Sequence, residues 1–175
     1  MLGLTPLGTI HTAISLVAVG AGIVSFVRFR EIAARTTVGR VYIWSTVLTS
    51  LTGFGIFQHG GFGKPHALGV MTLVAFAIAL AAARTSTFGR ASRAVETVAL
   101  TTTFFFHFVP GLVETTTRLP IGNPLIADRD GPELQAAAGV IVLVCAIVCA
   151  LQVRKLRASG PATVRFARAG HGATH

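Results

Sequence analysis

Residues 10–29 read IHTAISLVAVGAGIVSFVRF, a run of twenty residues with no charge before Arg28. A helix of about 20 apolar residues crosses the roughly 30 Å hydrocarbon core of a bilayer. The charges stand on the wrong side of this run for a secretory signal: residues 1–9 hold no Lys or Arg, and Arg28 and Arg30 follow it. The stretch therefore predicts a retained membrane span with its N-terminus outside the cytoplasm.

Four further apolar segments follow, at 41–57, 67–83, 95–113 and 134–153. With no water to satisfy backbone groups in lipid, such segments are expected as helices. The expected fold is all-α, an integral membrane bundle of five transmembrane helices. It is read as one domain over residues 1–153, followed by a basic cytoplasmic tail at 154–175. The composition agrees, with 52% hydrophobic and 12% charged residues and a mean hydropathy of +0.70. A soluble domain carries about twice that charge.

The net charge of +9 does not argue for nucleic acid, because the basic residues sit at span ends. Arg28, Arg30, Arg35 and Arg40 fill the first loop, Arg84, Arg90 and Arg93 the third, and Arg154, Lys155, Arg157, Arg165 and Arg168 the tail. Only Lys64, Arg118 and Arg129 fall on the other side, with Glu114, Asp128, Asp130 and Glu133. Twelve basic residues against three place the first group in the cytoplasm, the N-terminus out and the C-terminus in. The expected location is a cell membrane, the bacterial inner membrane. The bilayer is the expected partner, with a homo-oligomer or a larger membrane complex as a further one.

Polar residues inside a membrane are costly and each needs a reason. Under this topology His11, His59 and His66 lie at the outer face, and His107 lies about 18 Å along the outward-running fourth helix at ~1.5 Å per residue. Glu96, Thr103, His107 and Glu114 fall within about 20° of one line on that helix. The Pro110-Gly111 step is expected to loosen the helix above His107. Imidazoles with a carboxylate suit zinc, copper or iron, and facing imidazoles suit haem b. His11 and His107 are the first candidates for cofactor binding. His59 and His66 are additional metal ligands, with Glu114 an auxiliary ligand or proton acceptor. No His-Glu-x-x-His or Cys-x-x-Cys is present. For each histidine, a helix cap or interfacial residue is the competing reading.

Other features point to packing. Gly69, Thr72, Ala75, Ala79, Ala82 and Ala83 give the third helix a small-residue face. Tyr42 and Trp44 are expected as aromatic anchors at the cytoplasmic boundary. Phe104, Phe105 and Phe106 read as lipid-facing filler around His107. Cys145 and Cys149 share one helical face and read as small packing residues. The segment 118–133, with Pro120, Gly122, Asn123, Pro124, Gly131 and Pro132, predicts an irregular cap.

His11 at the start of the first helix, Gly39-Arg40-Val41-Tyr42 leading into the second, and the glycine-rich turn before the third resemble an uncharacterised bacterial family of small multi-pass membrane proteins. Members of that family usually carry a His-Arg pair shortly before the Gly-Arg, where this chain has Thr36-Thr37-Val38. The resemblance implies membrane location. A bundle with paired histidines is similar, more distantly, to membrane b-type cytochromes, which implies haem. The leading functional expectation is a metal- or haem-binding membrane protein, redox-active, with its site in the outer half. The alternatives are an accessory subunit of a larger complex and a small transporter or proton pathway along Glu96, His107 and Glu114.

Overall fold

The computed structural model describes residues 5–57 and 61–158. His59 and the tail beyond residue 158 lie outside the described residues. Among those described, all regular structure is helical: α1 (Pro6–Phe29), α2 (Thr37–Gly53), α3 (Lys64–Arg84), α4 (Ser92–Phe106), α5 (Phe108–Arg118) and α6 (Pro132–Ala158).

Helix limits follow local chemistry. Thr5 Oγ1 accepts the Gly8 N–H at 3.0 Å and starts α1. Thr36 does the same for the Gly39 N–H at α2. Arg30 closes α1 in a left-handed conformation at φ 63°, its N–H donated to Phe26 O. Gly39 is required by contact, because a Cβ there would stand 2.0 Å from Ala33 O. That close approach folds the loop at 30–36 tightly onto the start of α2. It also gives the Gly39-Arg40 pair a structural reason.

Four helices, not the expected five, are long and apolar enough to cross a membrane: α1, α3, the Gly89–Arg118 stretch containing α4 and α5, and α6. The shortfall is α2. At 17 residues it is about 25 Å long, and it carries Thr46, Thr49, Ser50 and Thr52. Its polar side is turned inward: Tyr42, Thr46, Thr49 and Ser50 are all buried. It lies antiparallel to α1, with His11 near the start of α1 bonded to Thr52 near the end of α2. α2 lies in the bundle beside α1 but falls short of a membrane-crossing helix.

The expected single helix over 95–113 is two helices meeting at His107. Pro110 has no N–H to give to Phe106 O, so the ladder fails in the turn before it. The interruption falls at His107 itself, whose N–H bonds back to Phe104 O at 3.2 Å. Between α5 and α6 no helix or strand forms, as the Pro- and Gly-rich composition predicts.

The core lies between the two ends of the bundle. Ala18, Tyr42, Phe76, Ala79, Leu100 and Phe104 pack together with Ile32. Phe104 is only 7% exposed and is core rather than lipid-facing filler. Its ring meets Phe26 at 5.0 Å between centroids and lies against Gly22, where a Cβ would come within 2.4 Å. Tyr42 is fully buried and so is no interfacial anchor, whereas Trp44 is 67% exposed and suits that place. Thr72, Ala79 and Ala82 of the small-residue face of α3 are buried, while Ala83 is exposed. At the Arg30 end, Glu31 is paired with Arg35 and with Arg93 at 3.2 Å, which ties the first loop to α4. Gln152 of α6 bonds both Thr101 and the Arg30 carbonyl there.

Candidate functional site

At the His11 end, α1, α2, α3 and the α4–α5 junction separate to leave a cavity of about 200 Å³. Hydroxyls from four helices line it, among them Ser15, Thr46, Ser50, Thr72 and Thr103. Phe54, Ile56, Leu68, Phe106 and Pro110 make its walls apolar. His11, His107, Glu114, Arg118 and Arg129 all line it, with Arg129 bonded to Glu114.

His107 is held from two sides. Its Nδ1 is 3.2 Å from Ser15 Oγ of α1, and its Nε2 is 3.0 Å from Thr46 Oγ1 of α2. A neutral imidazole has one N–H and one lone pair in its ring plane. One hydroxyl therefore donates to His107 and the other accepts from it. The broken ladder at residue 107 places the ring across the gap between α1 and α2. Thr46 sits one turn after Tyr42, whose phenol bonds Thr103 at 2.7 Å below the imidazole.

His11 Nδ1 is 3.1 Å from Thr52 Oγ1. That hydroxyl lies 2.9 Å from Leu48 O and 3.0 Å from Thr49 O, so its single proton goes to a carbonyl. His11 Nδ1 is then the N–H donor, which leaves Nε2 as an acceptor. The ring lies against Gly53, where a Cβ would be 3.2 Å from Cε1. Glu114 carries two guanidiniums, Arg118 on one oxygen and Arg129 Nη2 on the other at 2.9 Å. Arg129 comes from the 119–131 segment, whose Asp130 pairs with Lys64 at the start of α3. The Lys64 ammonium holds the Asp130 carboxyl below the usual carboxylate range.

Of the five residues expected to hold a metal, His11, His107 and Glu114 line one cavity. His66 is 6% exposed but does not line the cavity. Its Nδ1 accepts the Gly63 N–H at 3.2 Å, and its ring stacks on Phe57 at 4.9 Å. His66 thus serves the start of α3, the capping alternative. His59 falls outside the described residues. Among the described residues no three of His, Cys, Asp and Glu come together as a metal-holding group. Glu96 does not line the cavity either, so the Glu96–His107–Glu114 stripe is not one surface. Both His107 nitrogens are engaged by hydroxyls and both Glu114 oxygens by arginines.

Sequence reasoning missed Ser15, Thr46 and Thr52 as the partners of the histidines. A signal was present. Tyr42, Thr46, Thr49, Ser50 and Gly53 recur at helical spacing on α2, a polar stripe inside an apolar run. Glu31, the half-buried anchor at the opposite end, carried no comparable pattern.

Comparison with known protein families, curated proteins and solved structures finds no match to this chain. The reading of the site rests on its own geometry.

Proposed function

We propose that this chain is a five-pass protein of the bacterial inner membrane, N-terminus out and C-terminus in, whose outer-half cavity binds a small guest through hydrogen bonds to His11 and to the Ser15 and Thr46 hydroxyls that hold His107. The span count rests on α2 traversing the bundle beside α1. Its polar face is satisfied by protein, so the helix need not be as apolar as its neighbours. The orientation rests on the twelve basic residues of the first loop, third loop and tail.

The observation that carries the binding reading is the placement of His107. Both of its nitrogens are held by hydroxyls from α1 and α2 at the wall of a cavity that also holds His11. Preformed donors and acceptors around a mostly apolar cavity are the usual form of a ligand site. Beneath it Phe26, Phe76, Leu100 and Phe104 separate the cavity from the Glu31 cluster. That apolar layer favours binding from one side over a proton or solute path through the bundle.

Metal analysis and an optical spectrum of detergent-purified protein, from cells supplied with haem and with zinc, copper and iron, test this reading. Substoichiometric metal and no Soret band are expected. Stoichiometric metal or a Soret band that His107→Ala abolishes would replace the hydrogen-bonding site with a ligation site.

A further inference from the structure

We infer that Cys145 and Cys149 of α6 form a two-coordinate site for a soft monovalent metal ion, copper(I) in chemical type. The site is independent of the cavity, which neither cysteine lines.

Both cysteines are free and half-buried on the long helix α6. Four residues apart, they stand one above the other on one face. That face packs on α4: Gln152, one turn beyond Cys149, bonds Thr101 Oγ1 at 2.9 Å. The Cys149 thiol lies within hydrogen-bonding reach of both the Cys145 thiol and the Thr102 hydroxyl of α4. Val142, Leu143, Val144 and Ile147 around them are exposed. The thiols are thus turned towards α4, away from the apolar outer side of the helix.

Spacing decides what two such thiols can hold. Residues at i and i+4 have Cβ atoms about 5–6 Å apart, whereas a disulfide needs about 3.5–4.5 Å. The pair cannot close on itself without unwinding α6. Two metal–sulfur bonds of about 2.3 Å in line span about 4.6 Å, which seats an ion between the sulfurs with the helix intact. Structural zinc takes four ligands, and no third His, Cys, Asp or Glu joins the pair among the described residues. The neighbouring Thr102 Oγ1 is a hard oxygen that gives its proton to Val98 O at 2.9 Å. Soft thiolates and a coordination number of two select copper(I).

Two thiols and one copper(I) ion give a bis-thiolate complex of charge −1 and two protons, which leave for the solvent. No electron is transferred. Arg154, Lys155 and Arg157 follow on α6, about 8–12 Å along the axis from Cys149. The anion therefore forms beside the basic end of the helix, where positive charge offsets its own.

The test uses the full chain in detergent, with both thiols reduced and oxygen excluded. Air turns copper(I) into copper(II), which favours nitrogen and oxygen ligands, so protein purified in air is expected to have released its copper. Copper(I) is returned as its bathocuproine disulfonate complex, and transfer is read from the chelator's absorbance. One copper per chain is expected, with two sulfur neighbours and no nitrogen in X-ray absorption, and zinc at the same concentration is expected not to compete. Cys145→Ser and Cys149→Ser, each eluting as the parent does, are each expected to lower the affinity by at least the ~100-fold that loss of an outer-shell partner can cost. Val144→Ser, on the exposed side of α6, is expected to leave it unchanged. Uptake that survives either cysteine change, or no uptake by protein whose two thiols both titrate, would overturn the inference and leave the pair as packing residues. Equal competition by zinc would overturn the two-coordinate assignment. One copper per two chains would overturn the site as well, because its ligands would then come from two copies of α6.

Discussion

Thr46 Oγ1 lies 3.0 Å from His107 Nε2, across 61 residues of sequence. The bond joins the middle of the short polar helix α2 to the break between α4 and α5. With Ser15 on the other nitrogen, it makes His107 the point where three helices meet through polar atoms. Removing the imidazole leaves two hydroxyls facing a gap.

His107→Ala is therefore expected to destabilise the bundle by about 1–3 kcal/mol, the cost of unmade hydrogen bonds at buried groups. His107→Gln is expected to lose less. A double-mutant cycle with Thr46→Val isolates the pair, and a coupling of about 0.6–1.7 kcal/mol is the range for such bonds in membrane bundles. Unfolding in mixed micelles measures both.

Gly22→Ala drives a methyl group into the Phe104 ring, which Phe26 and Tyr42 also contact. Overpacking of about 1–3 kcal/mol is expected. Phe104→Ala is expected to cost about 3–5 kcal/mol through the cavity it leaves. Combining the two should recover part of the Gly22→Ala loss, because the clash is gone. Additive losses would separate the two residues.

Gly39→Ala is expected to be more damaging than either change at an exposed helix position. Its Cβ would sit 2.0 Å from a backbone oxygen, Ala33 O, so the loop and not a side chain must move. Loss of folded yield, scored by monodisperse elution, is the readout, with Gly20→Ala as a control where a Cβ meets nothing within 4 Å.

The Lys64–Asp130 pair ties the 119–131 segment to α3. Because Lys64 depresses the Asp130 carboxyl below 3.8, its contribution is present above that pH and is lost as pH falls through the depressed value. The amide protection factors in residues 119–131, corrected for the intrinsic pH dependence of exchange, should be unchanged from neutral to mildly acidic pH and fall below it. Asp130→Asn should show the lower protection at neutral and mildly acidic pH, and the difference should vanish once Asp130 is protonated. A loss of protection beginning near neutrality would assign it to another group.

Much of the architecture was legible in the sequence because lipid leaves few choices. A run such as residues 10–29 becomes a helix whatever surrounds it, and the charged loops mark its ends. The short α2 read as an ordinary span because hydropathy sums over a helix and ignores direction. Its hydroxyls face inward, which only packing reveals. The same limit misplaced Phe104 and Tyr42, whose apolar and amphipathic character suits lipid, interface or core equally well. The histidines were rightly singled out as costly, but polarity alone cannot say what satisfies them. His66 meets its own helix start, whereas His11 and His107 meet hydroxyls across helices. The stripe stops short of Glu96, which lies beyond the core layer, while Thr103, His107 and Glu114 all line the cavity.

Thiol accessibility at Ser50 tests the central claim most directly. Ser50 is 8% exposed and lines the cavity from α2. In a chain with Cys145→Ser and Cys149→Ser, Ser50→Cys in sealed, right-side-out membranes is offered a membrane-impermeant maleimide. Labelling from the outer solution is predicted, blocked by cavity-filling Thr72→Phe, with no labelling in inside-out membranes. A thiol reached from the inner side alone, or from neither, would contradict an outward-facing cavity organised around His107.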